Sequence, residues 1–539
     1  MYNVIITVVG ASCSKPPRYH IHMSLFNEET ILYNIPPKNR DAINIALAFP
    51  NTYTVGMTSL GFQNAWKLFN QSEDIQVIRW FTDIQESNKT MPEYIGFSFS
   101  WELDYKNIFS ILEKNNIPLH ASLRSKNDPI VFCGGQIINA NPEPFCDNFD
   151  FFLTRDLEAN INDLIKTIVE TRDVSREEKL NALSNIDGVY VPYRREWSRP
   201  SPTTTNTKNN LAYSSILTKN SVWENTFLLE VVRSCPELCR FCLASYGSLP
   251  FRTPHVKEHL IPAIDHGLKY TNKIGLLGAS VTQHPEFETL LDYLLTKENI
   301  NVQIASVRCD SITENITNGL YKLGSKSITM AIESGSKRLR EIINKKVSNE
   351  TIIKSIETIY SSGFNSIKLY GMVGLPNETW DDLKETVDFF KEIKKRNKTK
   401  KLVFGCSVFV PKAKTPFQWY GVDKDADKKL KFYSKELHKI GIDFRAESYK
   451  WSLIQALISR GDRSINKILE LAYRYGNTLG AFNKAINENK TLINSEDFIF
   501  KNWSEDFSLP WSNIDGYLNK NIIAEHLQKS KKAEIAPLT

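Results

Sequence analysis

The sequence lacks the features that mark a membrane protein, a secreted protein or a strongly charged partner of nucleic acid. Its 67 basic and 61 acidic residues leave a net charge of only +6 over 539 residues, so charge indicates no nucleic-acid partner. No apolar run is long enough to span a membrane, and the short apolar run at 4–10 has no basic flank of a signal peptide. We therefore expect a cytoplasmic protein without a membrane partner.

Cysteine is scarce, and most of it is scattered. Such a distribution favours a reducing compartment with a metal or redox site over a disulfide framework. We expect the scattered residues to be small buried hydrophobic side chains; they are Cys13, Cys133, Cys146, Cys309 and Cys406. The remaining three, Cys235, Cys239 and Cys242, fall within eight positions at a C-x3-C-x2-C spacing.

Three thiolates in one short loop suit an incompletely ligated iron–sulfur cluster. They can hold three irons of a [4Fe–4S] cluster and leave the fourth iron open to a small molecule, whereas a closed electron-transfer cluster uses four thiolates. A structural zinc site is the main alternative, but it usually needs four Cys or His ligands in paired spacings. His255 and His259 lie too far along the chain for such a pattern. A cluster that only carries electrons also stays open at this point.

The first two hundred residues alternate between predicted strands and helices. Strands are predicted at 43–49, 75–81, 94–99 and 130–133, and helices at 61–70, 107–116 and 157–169. This alternation predicts an open, mostly parallel, doubly wound Rossmann-like α/β domain over 41–195. Residues 1–40 form an extension in which a β-hairpin is the only predicted structure, and the Pro-, Thr- and Asn-rich stretch at 199–210 predicts a linker over 196–222.

Repeated strand-then-helix units follow the linker. Apolar strands are predicted to begin near Thr226, Lys273, Asn301, Lys326, Ser366 and Leu402. Six such units predict a partial (β/α)6 barrel over 223–422, followed by an α-helical region over 423–539. Because barrel active sites form at the carboxyl ends of the strands, the residues there are the candidate site.

The cysteine spacing, with Phe241 directly before the last cysteine, resembles that of the radical S-adenosylmethionine (SAM) superfamily. The segment AIESGSKRL at 331–339 is similar to the fourth-strand motif of its tRNA methylthiotransferase and coproporphyrinogen-oxidase branches. The resemblance implies a [4Fe–4S] cluster on Cys235, Cys239 and Cys242, with SAM bound to the open iron.

The resemblance also implies which strand ends hold SAM. Backbone groups at Gly278 and Ala279 would accept the amino group, with Glu333 also near the amine and Arg308 near the carboxylate. Polar groups are expected at the ribose and backbone contacts at the adenine. The expected residues are Ser306 and Ser336 at the ribose, and Phe241, Met372, Val373 and Gly374 at the adenine.

Two segments of the first domain look like landmarks of cobalamin-binding domains. They are GFSFSWELDY at 96–105 and VFCGG at 131–135, and they imply cobalamin contacts at Ser98, Gly134 and Gly135. Adjacent glycines would let the backbone approach a bulky corrin. No Asp-x-His-x-x-Gly motif follows the first strand, so no histidine of that motif would ligate the cobalt, and Arg155-Asp156 replaces the usual Gly-Glu pair. The whole arrangement resembles radical SAM proteins with an N-terminal B12-binding-like domain.

The resemblance implies an enzyme that receives an electron from a protein such as flavodoxin or ferredoxin and generates a 5′-deoxyadenosyl radical. With cobalamin, the expected outcome is methyl transfer to an unidentified substrate. Without it, methylthiolation or an oxidoreductase reaction remains, although the extra cysteines and RNA-binding barrel of methylthiotransferases are not evident. A non-catalytic iron–sulfur protein is a further alternative. Lys412 and Trp419, after the sixth strand, would either contact substrate or cover the core.

Overall fold

A computed structural model describes residues 24–87, 90–193 and 212–535. Its first unit is a six-stranded sheet in the order β3-β2-β4-β5-β6-β7, in which only the β6–β7 pair is antiparallel. A short antiparallel pair, β1 with β8, lies apart from this sheet. The strands are β1 (Thr30–Ile31), β2 (Ile43–Ala48), β3 (Ile75–Trp80), β4 (Tyr94–Ser98), β5 (Ile130–Gly134), β6 (Phe151–Leu153), β7 (Val189–Tyr190) and β8 (Ile216–Leu217).

The strand order of this sheet determines where a ligand would bind. The chain moves from β2 outward to β3 and then returns to β4 on the other side of β2. In doubly wound sheets, ligands bind at the carboxyl ends of the strands where the order reverses. That point is here the crevice between the ends of β2 and β4.

The second unit is an open barrel built from two parallel sheets, β11-β10-β9 and β12-β13-β14-β15. A single parallel bridge between Val307 and Met330 joins the two sheets. The free edge of β9 is covered by the chain at 212–214, since the N–H of Ser214 donates to Leu228 O at 2.8 Å. The strands are β9 (Thr226–Glu230), β10 (Lys273–Leu277), β11 (Asn301–Ile304), β12 (Ile328–Glu333), β13 (Ser366–Val373), β14 (Lys401–Val408) and β15 (Asp443–Ala446).

Helices pack on both faces of the six-stranded sheet and around the outside of the barrel. Those of the first unit are α1 (Ser24–Asn27), α2 (Tyr53–Gly56), α3 (Leu60–Asn70), α4 (Tyr105–Lys114), α5 (Gln136–Ala140), α6 (Leu157–Glu170) and α7 (Arg176–Leu183). Those of the barrel are α8 (Leu243–Tyr246), α9 (Ile261–Gly267), α10 (Phe287–Leu295), α11 (Glu314–Lys322), α12 (Lys337–Ile342), α13 (Asn349–Ser361) and α14 (Trp380–Arg396). The sequence motif Thr379-x-x-Asp382 forms the predicted capping box at the start of α14.

The carboxy-terminal region is helical and folds back over the barrel. Its helices are α15 (Ala426–Lys439), α16 (Tyr449–Arg460), α17 (Ile465–Arg474), α18 (Leu479–Asn489), α19 (Ser495–Ile499) and α20 (Lys520–Ile535). No helix in the described part of the chain combines the length and apolar composition that crossing a membrane would require.

The predicted fold class is confirmed. The four strands predicted in the first domain and the six predicted in the barrel all form, with limits within two residues of those expected. Strands β6, β7, β8 and β15 were not predicted. Residues 1–23 and 194–211 lie outside the described residues, so the extension and the linker are described only in part, and the domain limits stay predictions. From 212 on, the expected linker already packs on β9.

Candidate active site

The cysteine loop follows β9 at the carboxyl end of the barrel. Cys235 and Cys239 are buried and Cys242 is half-buried, and the N–H of Cys242 donates to Cys239 O at 2.9 Å. The three thiols lie within electrostatic range of one another. Burial raises the pKa of the Cys235 thiol, and it raises the pKa of Cys239 to about 12. Metal binding must therefore displace protons from these thiols.

The loop supplies three thiols, which is the ligand number of an incompletely ligated cluster. Among the described residues, no group of three or more His, Cys, Asp or Glu side chains could hold one metal ion. A zinc ion would need its thiolates within about 2.3 Å of one centre. The three thiols of a cluster each ligate a different iron, so they stand further apart. The zinc alternative gains no support, and the loop suits an incompletely ligated [4Fe–4S] cluster.

Backbone in the left-handed region shapes the loop, and the segment after α12 holds it. Ser234 and Leu238 have φ values of 69° and 52°, which are uncommon for residues other than glycine. Asn344, itself at φ 60°, donates from Nδ2 to Glu237 O at 2.9 Å and to Leu238 O at 3.1 Å. The N–H of Arg240 donates to a backbone carbonyl of the same segment. Such a concentration of strained residues is typical of functional sites.

The end of β10 approaches this loop closely. Gly278 has φ 152°, and a Cβ there would lie 2.6 Å from Val232 O, so the position requires glycine. Ala279 follows it and is half-buried. A little further on, Gln283 donates from Nε2 to Glu237 Oε1 at 2.6 Å. The backbone of 278–279 is therefore held beside the residues that lead into the cysteine loop, and its contact with an amino group stays a prediction.

Arg308, after β11, also reaches the loop. Its Nε donates to Asp310 Oδ1 at 2.9 Å, and its Nη2 lies 3.7 Å from Glu237 Oε2. Its charge favours the thiolate form of Cys235. Ser306, two residues earlier, is half-buried. The structure thus brings Arg308 near Cys235 and Cys239.

A bulge turns Glu333 toward the cysteine loop. The register of β12 against β13 shifts between Ala331 and Glu333, and Glu333 has φ 64°. Its Oε1 accepts from Lys345 Nζ at 3.2 Å, and both side chains are about nine-tenths buried. The ammonium group of Lys345 favours the thiolate form of Cys239. Lys345 was not identified from the sequence, where it is one of two adjacent lysines after a helix.

The residues expected at the adenine and the ribose occupy different surroundings. Met372 lies on the inner face of β13 and is half-buried, in an apolar cluster that also includes Phe241. Val373 is fully buried on the opposite face. The N–H of Gly374, at φ 74°, donates to Glu378 Oε2 at 2.6 Å. The role of each at the adenine stays a prediction.

Ser336 has a structural role that the sequence reading did not include. It is fully buried, its Oγ accepts from the N–H of Leu339 as the N-cap of α12, and it donates to Asp382 Oδ1 at 2.7 Å. Its contact with a ribose stays a prediction.

The two glycines of the first domain differ in how closely the protein packs against them. Ser98 and Gly134 are partners at the ends of β4 and β5. A Cβ at Gly135 would lie 2.3 Å from Phe99 O, and one at Gly134 would lie 3.4 Å from Leu153 O. Gly135, at φ 121°, is therefore required by the backbone that follows β4, whereas a Cβ at Gly134 would make only ordinary van der Waals contact. Contact of Ser98, Gly134 and Gly135 with cobalamin stays a prediction.

Side chains from the barrel and the carboxy-terminal region close over the end of β4. Buried Glu102 forms an ion pair with Lys412 and accepts from Gln455 Nε2 at 2.9 Å. Trp419 is buried in an apolar cluster. Of the two alternatives for these residues, a covering role therefore fits Trp419, and Lys412 joins the two units.

Helix α20 covers the outer side of the cysteine loop. Arg240 Nε donates to His526 O at 2.9 Å, and the Tyr246 hydroxyl bonds His526 Nδ1 at 2.8 Å. Tyr246 also donates to Leu238 O within the loop, at 3.2 Å. Nothing in the sequence of this helix indicates the contact, because its side chains alternate between apolar and charged types as in any surface helix.

Two family models match the chain. The one described as the radical SAM superfamily matches residues 229–390, and the one described as radical SAM proteins, N-terminal, matches residues 85–192. Together they match half of the chain. The first model includes the cysteine loop and the ends of β10 to β13, and the second includes the ends of β4 and β5.

Among individual proteins, an uncharacterized protein of Methanocaldococcus jannaschii is 27% identical over 459 residues, which are 84% of this chain and 97% of that protein. A tRNA-2-methylthio-N(6)-dimethylallyladenosine synthase of Bacillus thuringiensis is 24% identical over 179 residues, so the match spans 35% of that enzyme. In fold, the chain is similar to the radical SAM methyltransferase TsrM of Kitasatospora setae, with a TM-score of 0.53 and 12% identity over 70% of this chain and 75% of that one.

Proposed function

The chain belongs to the radical SAM superfamily, and from this premise we propose that it is an enzyme acting on an unreactive C–H bond. The bound [4Fe–4S] cluster and SAM supply the chemistry, which is reductive cleavage of the sulfonium to a 5′-deoxyadenosyl radical. The observation that carries the proposal is the set of charged side chains gathered around the cysteine loop. The loop alone would support any iron–sulfur protein.

These charges match the amino-acid end of SAM. A zwitterionic ligand needs an acceptor for its ammonium group and cations for its carboxylate. Glu333 supplies the acceptor, and Arg308 and Lys345 supply the cations, all beside the thiols. Because Glu333 and Lys345 are already paired and about nine-tenths buried, they are held in position before the ligand arrives.

The remaining residues orient the ligand and exclude water. Gly278 packs against Val232, just before the cysteine loop, and this contact supports a role for the backbone carbonyl groups of 278–279 as acceptors for the ammonium group. Phe241 and Met372 offer an apolar surface to the adenine. Helix α20 covers the loop from outside, so water reaches the site chiefly through the barrel mouth.

Cobalamin-dependent methyl transfer is the second candidate. It is supported by the strand order of the first sheet, whose crevice lies where the two units meet, and by the similarity in fold to TsrM, a radical SAM methyltransferase. Methylthiolation is supported only by a match to a third of a tRNA-modifying enzyme. We assign no step to cobalamin, and propose a flavodoxin or ferredoxin as electron donor.

The test is anaerobic reconstitution of the full chain with iron and sulfide, followed by addition of SAM and a reductant. We expect about four irons per chain and formation of 5′-deoxyadenosine. Cys239→Ala should lose both. Cys406→Ala, which changes a buried cysteine in β14 outside the loop, is the matched control and should retain both.

Two outcomes would count against the proposal. Equal amounts of 5′-deoxyadenosine from the wild type and Cys239→Ala would exclude the cluster as its source. A fully loaded wild type that forms none would leave the protein as a non-catalytic iron–sulfur protein. Added cobalamin that changes neither its own absorption spectrum nor the products would remove the methyl-transfer candidate.

A further inference from the structure

The inner face of the barrel carries polar side chains that the SAM site does not use. Along β13 the residues alternate, with Ile367, Leu369 and Val373 fully buried against the helices. The alternate residues Lys368 and Tyr370 are only partly buried. They therefore face the interior of the barrel, on the same side as Met372 in the predicted SAM site.

Tyr370 crosses the neighbouring strand toward Arg445. Tyr370, Gly405 and Arg445 are register partners in one row across β13, β14 and β15. A Cβ at Gly405 would lie 2.8 Å from Tyr370 Cε1, so the glycine lets the ring lie over β14. Lys368 Nζ stands 4.7 Å from the centre of the same ring. One ring thus lies between two cationic side chains.

The described contacts leave these polar groups incompletely satisfied. The Tyr370 hydroxyl is buried without a hydrogen-bond partner, and Lys368 has no carboxylate partner within the described residues. A buried unpaired hydroxyl costs about 1–3 kcal/mol. Arg445 is paired with Asp443, at 2.8 Å between Nη2 and Oδ2. Its positive charge nevertheless destabilises the protonated form of Lys368.

Protonation leaves the three side chains able to donate. Burial raises the pKa of Tyr370 to about 12, with Glu447 adding to the effect, so the hydroxyl keeps its proton at neutral pH. Burial lowers the pKa of Lys368, and the nearby Arg445 lowers it further. A bound anion would oppose both effects on Lys368, and it would give the Tyr370 hydroxyl an acceptor.

We propose that Lys368, Tyr370 and Arg445 form a binding site for an anionic group, a phosphate or a carboxylate, of the substrate. Tyr370 is two residues from Met372 on the same face of β13, about 7 Å along the strand. An anionic group held there would leave the rest of the substrate directed toward the carboxyl end of the barrel. Only the identification of the ligand as substrate rests on the proposed function, because anion binding does not require SAM cleavage.

The probe is inorganic phosphate, titrated into the full-length reconstituted protein in an isothermal calorimeter, with acetate in a parallel titration. We expect Lys368→Ala to weaken binding about tenfold and Tyr370→Phe about fivefold, as for charge-assisted and neutral hydrogen bonds. The matched control is Lys391→Ala, on the outer face of α14, where the lysine pairs with Asp388. It should bind like the wild type.

Each result of the phosphate and acetate titrations supports or contradicts the anion site. Tighter binding of phosphate than of acetate indicates a phosphorylated substrate, and the reverse indicates a carboxylate. No binding of either ion at millimolar concentration, or equal affinities of the wild type and Lys368→Ala, overturns the proposal. If Lys368→Ala does not fold, Lys368→Gln and Tyr370→Phe carry the test. Anion binding without 5′-deoxyadenosine formation would refute the proposed function alone, and the converse would refute this site alone.

Discussion

Asn344 allows a quantitative test of how the cysteine loop is held. Its two amide bonds to the loop contribute about 1 kcal/mol each. Its left-handed backbone, at φ 60°, costs alanine about 1 kcal/mol more than glycine. Asn344→Gly should therefore weaken the hold on the loop by about 2 kcal/mol, and Asn344→Ala by about 3 kcal/mol, which is about 150-fold in an opening equilibrium.

The assay is the rate at which an iron chelator removes the cluster from reconstituted protein under anaerobic conditions. We expect the order wild type, Asn344→Gly, Asn344→Ala from slowest to fastest. Asn299→Ala is the matched control, because Asn299 has φ 57° at the start of β11, away from the loop. It should lose stability to heat but keep its cluster as the wild type does. Equal rates of cluster removal from both Asn344 variants and the wild type would refute the conclusion that Asn344 holds the cysteine loop.

Three further predictions concern other parts of the molecule. Burial raises the pKa of Asp104 to about 7, so ionisation of this carboxyl group destabilises the folded protein by up to about 4 kcal/mol as pH rises from about 4 to 7. Asp104→Asn removes the titrating group and should reduce the fall in Tm between pH 5 and pH 8. An equal fall in Tm for the variant and the wild type would contradict this prediction. Gly135→Ala should lower Tm far more than Gly441→Ala, because only the former meets a backbone oxygen, and equal shifts would argue against the close approach. Removing 520–539, which includes α20, should speed loss of the cluster's visible absorbance in air, and an unchanged rate would deny α20 a covering role.

In the first domain, the strands that could be predicted from the sequence are those buried on both faces. The runs at 43–49 and 130–133 are continuous and apolar because helices cover both sides of a parallel sheet. The strands that escaped notice are short or lie at an edge. β7 has two residues, and β15 reads Asp-Phe-Arg-Ala, with a single large apolar side chain. Neither gives a periodic signal, and only their partners in the sheet identify them.

Some residues of the candidate site could likewise be predicted from the sequence, and others could not. The three cysteines and Glu333 follow from spacing and from position at strand ends. Lys345 and Asn344 do not, because an Asn-Lys pair after a helix has the composition of a solvated turn. They reach the cysteine loop through tertiary packing of α12, which no local pattern encodes. The close approach at Gly135 is also absent from any local pattern, since the backbone that requires the glycine is Phe99, 36 residues earlier in the chain.

The first domain also takes part in fixing the cysteine loop. Arg233 lies two residues before Cys235, and its guanidinium contacts Glu230 at 2.7 Å within the barrel. It also contacts Asp156 at 3.2 Å and Glu158 at 2.8 Å, at the start of α6 in the first domain. Removing one partner of such a buried cluster typically costs about 3–5 kcal/mol. The loop is thus anchored to the first domain by Arg233, to the barrel by Asn344 and to the carboxy-terminal helix by Arg240. A barrel expressed alone would lose two of these three attachments, so the flanking regions are part of the active site even if they bind no cofactor.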